Sequence, residues 1–217
     1  MRLYLSSYRI GDYPERLVDL CGNRRVAVVG NALDFIPVDA RRKYEAEVYS
    51  PHDAFSALGL ESSDFDLRRY FGNPTHLRAD LNNLVWVLGG NAFLLMRALR
   101  QAGFPDVVRD MLEQDEITYG GFSAGTVVAT PTLRGIEVMD DPSQLAEGYE
   151  PEVPWVGMGL VGFSIVPHYK SDHPEAASAD VAVSFMKENT MPYKALADGE
   201  VFITQNGVGE LLLRKSP

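Results

Sequence analysis

Short apolar runs alternate with amphipathic segments along most of the chain. The apolar runs are rich in Val, Leu and Ile, which is typical of strands that are buried on both faces of a sheet. The clearest are "RVAVVGNA" from Arg25, "LVWVLGGN" from Leu84 and "EITYGGF" from Glu116. The segments between them space their apolar residues as a helix does, most plainly in "AFLLMRALRQAG" from Ala92. Repeated strand–helix units with short connections predict one α/β domain over residues 1–217, with a mainly parallel sheet covered by helices on both faces.

Turn and capping residues bound several of these elements. Pro14 opens "PERLVDLCG" as a helix and Gly22 closes it, which matches the preference for proline at helix starts and glycine after helix ends. The hairpin signal "NGVG" separates "EVFITQ" from "ELLLRK" and predicts a small antiparallel edge at the C-terminal end of the sheet. "FDLRRYF" at residues 65–71 is a further strand candidate. Residues 140–154, rich in Pro, Asp and Glu, are predicted to form a surface loop, which is either a lid or a plain connection. The other predicted strands are "RLYLSS", "LVGFSIVPHY" and "YKALA", and the other predicted helices are "VDARRKYEAEVYS", "PTHLRADLNN", "FPDVVRDMLEQD" and "PEAASADVAVSFMKEN".

The composition excludes some classes of partner. With 46% hydrophobic residues, a chain of 217 residues has enough apolar side chains for one packed domain. The formal net charge is -10 and the sequence pI is about 4.8, without a cluster of Lys and Arg. A nucleic acid or an anionic membrane surface is therefore not an expected partner. An acidic ligand would need a local basic pocket that works against the overall charge.

The single cysteine and the absence of a long apolar run indicate a cellular location. Cys21 has no intramolecular partner for a disulfide, so a reducing compartment is expected, and Cys21 is expected to pack as a small buried residue. The first residues lack a basic region followed by a long apolar run, so we expect no signal peptide. No apolar run approaches the roughly 20 residues that cross a bilayer. We therefore expect a soluble cytoplasmic protein. Its oligomeric state is open, and a homodimer is one assembly that the sequence allows.

A serine lies between two glycines where a strand is predicted to end and a helix to begin. Gly121 to Gly125 match G-x-S-x-G, with Ser123 at the position of the nucleophile. In such a turn the serine hydroxyl projects above the edge of the sheet, and side chains at the two glycines would collide with neighbouring backbone. The five-residue pattern alone is weak, because it arises by chance in roughly one chain in ten of this length. The alternative is a tight turn with a capping serine.

A serine nucleophile needs a base, and the chain has four histidines. His168 ends the predicted strand "GFSIVPHY", and strands of a parallel sheet share one carboxyl edge, so His168 is expected to lie near Ser123. His173 follows the polar "KSD" and is expected to face solvent. His52 and His76 are interpreted as structural or surface residues. His168, Asp172 and His173 resemble a fragment of a metal site, but no further ligand cluster accompanies them, and we expect no metal.

The base needs an acid, and the oxyanion needs donors. Asp198 and Glu200 in "LADGEVF" are acids downstream of His168. Acids upstream of it would give the chain order of the α/β-hydrolases; they are Glu137, Asp140 and Asp141. The alternative interpretation of each of these carboxylates is a solvated surface group without a catalytic role. Ala124 N–H, directly after the serine, is one oxyanion donor, and "LGGN" at residues 88–91 is expected to supply the second.

Three segments together resemble the peptidase E family, the serine dipeptidases related to cyanophycinase. They are "VWVLGGNAFLLMRALRQAG", "YGGFSAGTVVATPTL" and "VGFSIVPHY", in the family's order and at fitting separations. The resemblance covers nearly the whole chain. It implies a fold similar to that of class I glutamine amidotransferases, with no cofactor and no metal. It also implies a role for each matching residue: Ser123 as nucleophile, His168 as base, Asp198 (with Glu200 as the fallback) as acid, and Gly90 and Ala124 as oxyanion donors.

The family's best-known activity is cleavage of dipeptides that begin with aspartate. A bound aspartate carboxylate needs a cation, and Arg134 and Lys170 are the candidates nearest in sequence to the motifs, with Asn91 as a further candidate substrate contact. Relatives cleave other dipeptides or branched aspartyl polymers, so the family alone does not fix the small peptide substrate. Two alternatives remain: an α/β-hydrolase-type esterase with Ser123, Asp140 and His168, and a catalytically silent binding protein of the same fold.

Overall fold

A computed structural model describes residues 1–21 and 25–215. Gly22, the predicted end of the first helix, lies outside these residues. The strands are β1 (Arg2–Ser6), β2 (Arg25–Val29), β3 (Glu61–Asp64), β4 (Leu84–Val87), β5 (Thr118–Phe122), β6 (Ser164–Val166), β7 (Tyr193–Ala195), β8 (Val201–Gln205) and β9 (Val208–Leu212). The helices are α1 (Pro14–Cys21), α2 (Val38–Glu47), α3 (Pro51–Ala57), α4 (Leu77–Asp80), α5 (Ala92–Gln101), α6 (Phe104–Glu113), α7 (Ala124–Val127) and α8 (Ala176–Glu188). Two 3₁₀ turns cover Asn31–Leu33 and Leu67–Tyr70.

The central sheet has seven strands in the order β3-β2-β4-β5-β1-β8-β9. The first five are parallel to one another, whereas β8 pairs antiparallel with β1 and β9 pairs antiparallel with β8. The predicted fold class is confirmed: the sheet is mostly parallel, with an antiparallel edge built from the C-terminal hairpin. Because β1 pairs in register with β5, the residue after Ser6 lies beside the residue after Phe122.

The strand that carries His168 is not part of this sheet, contrary to the expectation of one shared edge. β6 pairs with β7 in a separate two-stranded parallel sheet. Both sides of β1 are already occupied, by β5 on one side and β8 on the other, so β6 has no open position there. His168 still reaches the carboxyl edge of the main sheet, but from a second layer of backbone.

The prediction of a strand at residues 65–71 is wrong. The strand β3 comes just before it, in "ESSD", and Leu67–Tyr70 form a 3₁₀ turn. The side chain of Asp66 accepts a hydrogen bond from the backbone N–H of Arg68, which starts that turn. β3 lies at the edge of the sheet and is largely exposed, so it lacks the apolar run that marks the inner strands.

Apolar side chains cover both faces of the sheet. Val85 and Val87 pack into one cluster with α5 and α6, whereas Leu84 and Trp86 pack into the other with α1. This alternation along β4 is what a strand between two layers of helices requires. Cys21 is buried in the second cluster, as predicted. Among residues 1–21 and 25–215, no helix is both long enough and apolar enough to span a membrane.

The loop at residues 140–154 is fixed against α5. Arg97, which is 3% exposed, donates hydrogen bonds to the carbonyl oxygens of Pro142, Gln144 and Pro151. The side chain of Gln101 bonds to Gly148 and Glu150 farther along the loop. These contacts favour a fixed connection over a lid.

Candidate active site

Ser123 occupies the turn between β5 and α7 in a strained conformation. Its φ is 48° and its ψ is -116°, in a region that non-glycine residues rarely adopt. Its backbone N–H lies within hydrogen-bond distance of the carbonyl oxygens of Ser6 and Ser7, 3.3 and 3.2 Å away, at the end of β1. The main chain around the serine is therefore held by the neighbouring strand, and Ser123 lines a cavity.

The glycines on either side of the serine are required by the close approach of β4. A Cβ atom on Gly125 would lie 2.2 Å from the carbonyl oxygen of Val87, and one on Gly121 would lie 2.9 Å from the same atom. Neither contact is possible without moving backbone. The steric reason expected for the glycines is the one that the structure shows.

His168 is almost completely buried and contacts Asp198. Its Nδ1 lies 2.8 Å from Oδ1 of Asp198, and the histidine is 1% exposed. Burial acts to raise the pKa of Asp198, but the hydrogen bonds from His168 and Ser7 and the charge of His168 together hold that pKa below its ordinary value. A carboxylate in this position keeps Nδ1 protonated and leaves Nε2 free to accept a proton.

Ser7 is a site residue that sequence reasoning missed. Its buried hydroxyl accepts a hydrogen bond from the backbone N–H of His168 and lies 2.8 Å from Oδ1 of Asp198. One side chain thereby ties the base and the acid to the end of β1. The backbone N–H of Asp198 donates to Oγ of Ser171 at 2.7 Å, which fixes the acid from its other side. A polar "SS" at the end of an apolar strand was the available signal for Ser7.

The other candidate acids have different partners. Glu200 accepts a hydrogen bond from the backbone N–H of Ala197 and closes the turn before β8. Asp140 accepts a hydrogen bond from the backbone N–H of Ala92 at 2.8 Å, at the start of α5. The pKa of Asp140 is raised to about 7, mainly by burial and also by the charge of Glu175, while the hydrogen bond from Ala92 and the charge of His168 lower it. Glu137 accepts from Gly135 N–H and Asp141 from Ser143, so both serve local turns.

Two backbone N–H groups near Ser123 are available for a ligand. Neither Gly90 N–H nor Ala124 N–H donates a hydrogen bond within the described ranges. Gly90 has a φ of 135°, and a Cβ atom there would lie 2.6 Å from the carbonyl oxygen of Ala32. A Cβ atom on Gly89 would lie 3.2 Å from Cβ of Ser123, so the double-glycine turn after β4 runs directly beside the serine.

The three expected substrate contacts do not line the cavity. Asn91 caps α5, where its Oδ1 accepts from Leu94 N–H and its Nδ2 donates to the carbonyl oxygen of Asp141. Arg134 is exposed and lies over the ring of Trp155. Lys170 is exposed and lies over the ring of Tyr169. Proximity in sequence to the serine and histidine motifs did not translate into proximity to the cavity, because each cation stacks on an aromatic ring outside it.

His173 was expected to face solvent, but it packs on His168. The two imidazole rings are stacked, with centroids 3.7 Å apart and planes 7° apart. Partial burial lowers the pKa of His173, and the charge of His168 lowers it further. Oε2 of Glu175 lies 3.7 Å from Nε2 of His168.

His168, His173 and Glu175 each present one possible metal-ligating atom, and these atoms lie within 4.8 Å of one another. An imidazole binds a metal through a lone pair in the plane of its ring, and the planes of the stacked rings are nearly parallel. The two histidines could not converge on one ion without one ring turning out of the stack.

The cavity that joins these groups has a volume of about 380 Å³. This volume lies at the small end of the range for small-molecule sites. Four aromatic side chains form much of the wall: Tyr8, Tyr44, Tyr49 and Phe122. Ser123, His168, Gly89 and Gly90 lie on the same cavity. The arrangement suits attack on the carbonyl group of a small substrate.

The chain is also similar in sequence to a known family and to named proteins. The model of the family described as "Peptidase family S51" matches residues 11–212. Peptidase E of Streptomyces coelicolor is 29% identical over 177 residues, which are 76% of this chain and 68% of that protein. A probable alpha-aspartyl dipeptidase of Drosophila melanogaster is 38% identical over 131 residues, which are 58% of this chain and 50% of that protein.

The fold is also found among solved structures. The chain superimposes on a putative peptidase E protein from Listeria monocytogenes EGD-e with a TM-score of 0.77. The sequences are 22% identical, and the match covers 99% of this chain and 98% of the other. At this identity the likeness establishes the shared fold.

Proposed function

Because the chain belongs to peptidase family S51 and is a peptidase, we propose that it is a serine dipeptidase that works through an acyl-enzyme on Ser123. The small cavity and the names of two relatives, a peptidase E and a probable alpha-aspartyl dipeptidase, support a dipeptide as the substrate. The contact between Asp198 and the Nδ1 of buried His168, on the same cavity as a strained serine, is the observation that carries the proposal.

In the first half of the reaction, Oγ of Ser123 attacks the scissile carbonyl carbon and Nε2 of His168 takes the hydroxyl proton. Asp198 accepts the hydrogen bond from Nδ1–H and stabilises the imidazolium that forms. The oxyanion accepts hydrogen bonds from Gly90 N–H and Ala124 N–H, which have no other acceptor in the described part of the chain. When the C–N bond breaks, the proton on Nε2 passes to the leaving amine.

In the second half, a water molecule attacks the ester carbonyl while Nε2 of His168 takes one of its protons. The same two N–H groups bind the second oxyanion. The C–Oγ bond breaks, the proton returns to Ser123, and the acid product leaves. The strained backbone of Ser123 and the hydrogen bonds of Ser7 hold the reacting groups in place throughout.

Hydrolysis of a dipeptide panel tests the proposed function. Asp-Leu, Glu-Leu, Ala-Leu, Gly-Phe and Arg-Leu are incubated with the protein and with Ser123→Ala. We expect turnover of at least one dipeptide and its loss in Ser123→Ala, with unchanged circular dichroism. Equal turnover by the variant would exclude Ser123 as the nucleophile.

The two alternatives differ in their support. The esterase alternative needs Asp140 as the acid that contacts His168. In the structure, Asp140 accepts a hydrogen bond at the start of α5 and Asp198 contacts His168, so this alternative is not favoured. A silent binding protein would bind the dipeptides without cleaving them, and the complete set of Ser123, His168 and Asp198 argues against it. A cytoplasmic location, favoured by the single free cysteine, stays a prediction, as does a homodimer.

A further inference from the structure

The cavity contains one arginine that has no acidic partner. Arg9 and Arg41 both line it. Arg41 pairs with Oδ1 of Asp34 at 3.1 Å, and the Asp34 side chain is 3% exposed, so that charge is matched inside the protein. Arg9 forms no ion pair with any residue in the described ranges, and its buried Nε has no hydrogen-bond partner there. A buried N–H without an acceptor is costly, which makes the guanidinium ready for a ligand.

Two tyrosines hold this guanidinium in a fixed position. Its Cζ lies 4.4 Å from the ring centroid of Tyr49 and 4.8 Å from that of Tyr8. Arginine stacks favourably on aromatic faces and still presents its N–H fork at the edge, where a carboxylate binds in a bidentate way. The backbone of Arg9 adopts a φ of 49°, so the loop after β1 is bent to bring the side chain there.

The topology brings Arg9 to the nucleophile. β1 and β5 are neighbouring parallel strands, with Ser6 opposite Phe122, so the loop that begins at Ser7 starts beside Ser123. The Tyr8 ring contacts both the guanidinium and the base: its centroid is 4.8 Å from Cζ of Arg9 and 5.8 Å from the ring centroid of His168. Two groups that contact one ring lie no farther apart than these two distances combined, a span that an extended dipeptide of about 7 Å covers with a hydrogen bond at each end.

Two of the charged groups on the cavity wall, Glu175 and Arg9, suit the two ends of a dipeptide. Glu175 lies 3.7 Å from Nε2 of His168, so the end of the cavity at the histidines is negative and favours an ammonium group. Arg9, a cation on the same cavity, favours a carboxylate. A dipeptide carries its ammonium on the N-terminal residue, whose acyl group is transferred to Ser123, and its carboxylate on the C-terminal residue, which leaves as the amine. Longer peptides would place an amide where this carboxylate lies.

We propose that Arg9 binds the C-terminal carboxylate of the substrate and thereby restricts the enzyme to dipeptides. The inference rests on the proposed function, and it makes Arg9 a residue that determines specificity. Arg134 and Lys170, outside the cavity, have no part in it. An acidic side chain on the first residue is the other source of a carboxylate, and the experiment separates the two.

The test compares Ala-Leu with its C-terminal amide, and Asp-Leu with Asn-Leu, in the wild type, Arg9→Met and Arg9→Lys. Arg69→Met is the matched control, because Arg69 is an exposed arginine beside Tyr70 that does not line the active-site cavity. We expect the wild type to favour Ala-Leu over its amide by at least about tenfold in kcat/KM, the size of a charge-assisted contact. In Arg9→Met the ratio falls below about threefold, mainly through KM, and Arg9→Lys lies between. Arg69→Met keeps the wild-type ratio.

Two results would overturn the proposal while leaving the dipeptidase intact. One is equal hydrolysis of acid and amide by the wild type. The other is an Arg9→Met enzyme that keeps the acid-to-amide ratio but loses a preference for Asp-Leu over Asn-Leu, which would assign Arg9 to the side chain.

If no dipeptide is cleaved, the proposed function fails, and calorimetric binding to Ser123→Ala still decides the inference. We expect Ser123→Ala to bind Ala-Leu at least about tenfold more tightly than the amide, and the double variant with Arg9→Met to lose the difference. Equal affinity for acid and amide in Ser123→Ala would overturn the assignment.

Discussion

The imidazole ring of His173 lies flat on that of His168, with centroids 3.7 Å apart. The ring of Tyr8 meets both at its edge, 5.8 Å from His168 and 5.3 Å from His173. The proposed base is thus held between its contact with Asp198 and a second aromatic layer. Burial and the charge of His168 lower the pKa of His173, which favours its neutral form, and its ring packs on the base.

Two substitutions of His173 test whether this residue acts by packing on His168 or by exchanging a proton. We expect His173→Phe to keep kcat/KM within about threefold, because phenyl preserves the stack, and His173→Ala to lose on the order of tenfold by admitting water to His168. The pH profile of kcat/KM from pH 6.5 to 8 should keep its shape in His173→Phe. A Phe variant as weak as the Ala variant would show that an imidazole is needed at this position.

The assignment of the acid is tested by parallel substitutions. Asp198→Asn should lower kcat by about 10³–10⁴-fold, because the amide favours the wrong tautomer of His168. Glu200→Gln should cost less than about tenfold, since Glu200 closes a turn. Steady-state kinetics on the best dipeptide measure both. A larger loss in Glu200→Gln than in Asp198→Asn would reverse the assignment.

Asp140 gives the fold a pH dependence of known sign. Its pKa is about 7 in the folded protein, above the roughly 3.9 of an unfolded aspartate, so the folded state binds more protons. The stability that Asp140 contributes is therefore greatest below about pH 4, and it decreases as the pH rises through the folded pKa of about 7. Asp140→Asn keeps an acceptor for Ala92 N–H and removes this loss.

We therefore expect the free energy of unfolding of Asp140→Asn, relative to wild type, to increase by about 3 kcal/mol between pH 4.5 and pH 8. Urea titrations at the two pH values measure this difference. A constant difference between variant and wild type would contradict the raised pKa of Asp140.

The glycine after the serine is a steric requirement. Gly125→Ala places a Cβ atom 2.2 Å from the carbonyl oxygen of Val87, so we expect a loss of roughly 3 kcal/mol or more in stability, together with loss of activity. Gly162→Ala is the control, because nothing lies within 4 Å of a Cβ atom there. Its stability should stay within about 0.5 kcal/mol of wild type. Similar melting temperatures for the two variants would contradict the steric account.

Sequence patterns predicted the elements that are buried on both sides. The apolar runs of β2, β4 and β5 and the G-x-S-x-G turn were identified because their burial or steric demands are local. β3 was missed because an exposed edge strand needs no apolar run, and its polar "ESSD" looks like a loop.

The composition of the site depended on pairings between distant segments. Ser7 and Arg9 lie near Ser123 because β1 inserts between β5 and β8 in the sheet. The order of the strands along the chain does not indicate that β1 and β5 are neighbours. His173 reaches His168 because Lys170 and His168 both adopt positive φ values and reverse the chain after β6. Arg134 and Lys170 were favoured by closeness in sequence, which is a poor guide where each has an aromatic ring to stack on.

Covalent labelling of the serine tests the central claim most directly. The wild type, Ser123→Ala and Asp198→Asn are treated with a fluorophosphonate and mapped by peptide mass spectrometry. We predict one label per chain, on Ser123, in the wild type, none in Ser123→Ala, and much slower labelling in Asp198→Asn. An unlabelled Ser123 in wild-type protein that hydrolyses dipeptides would contradict it.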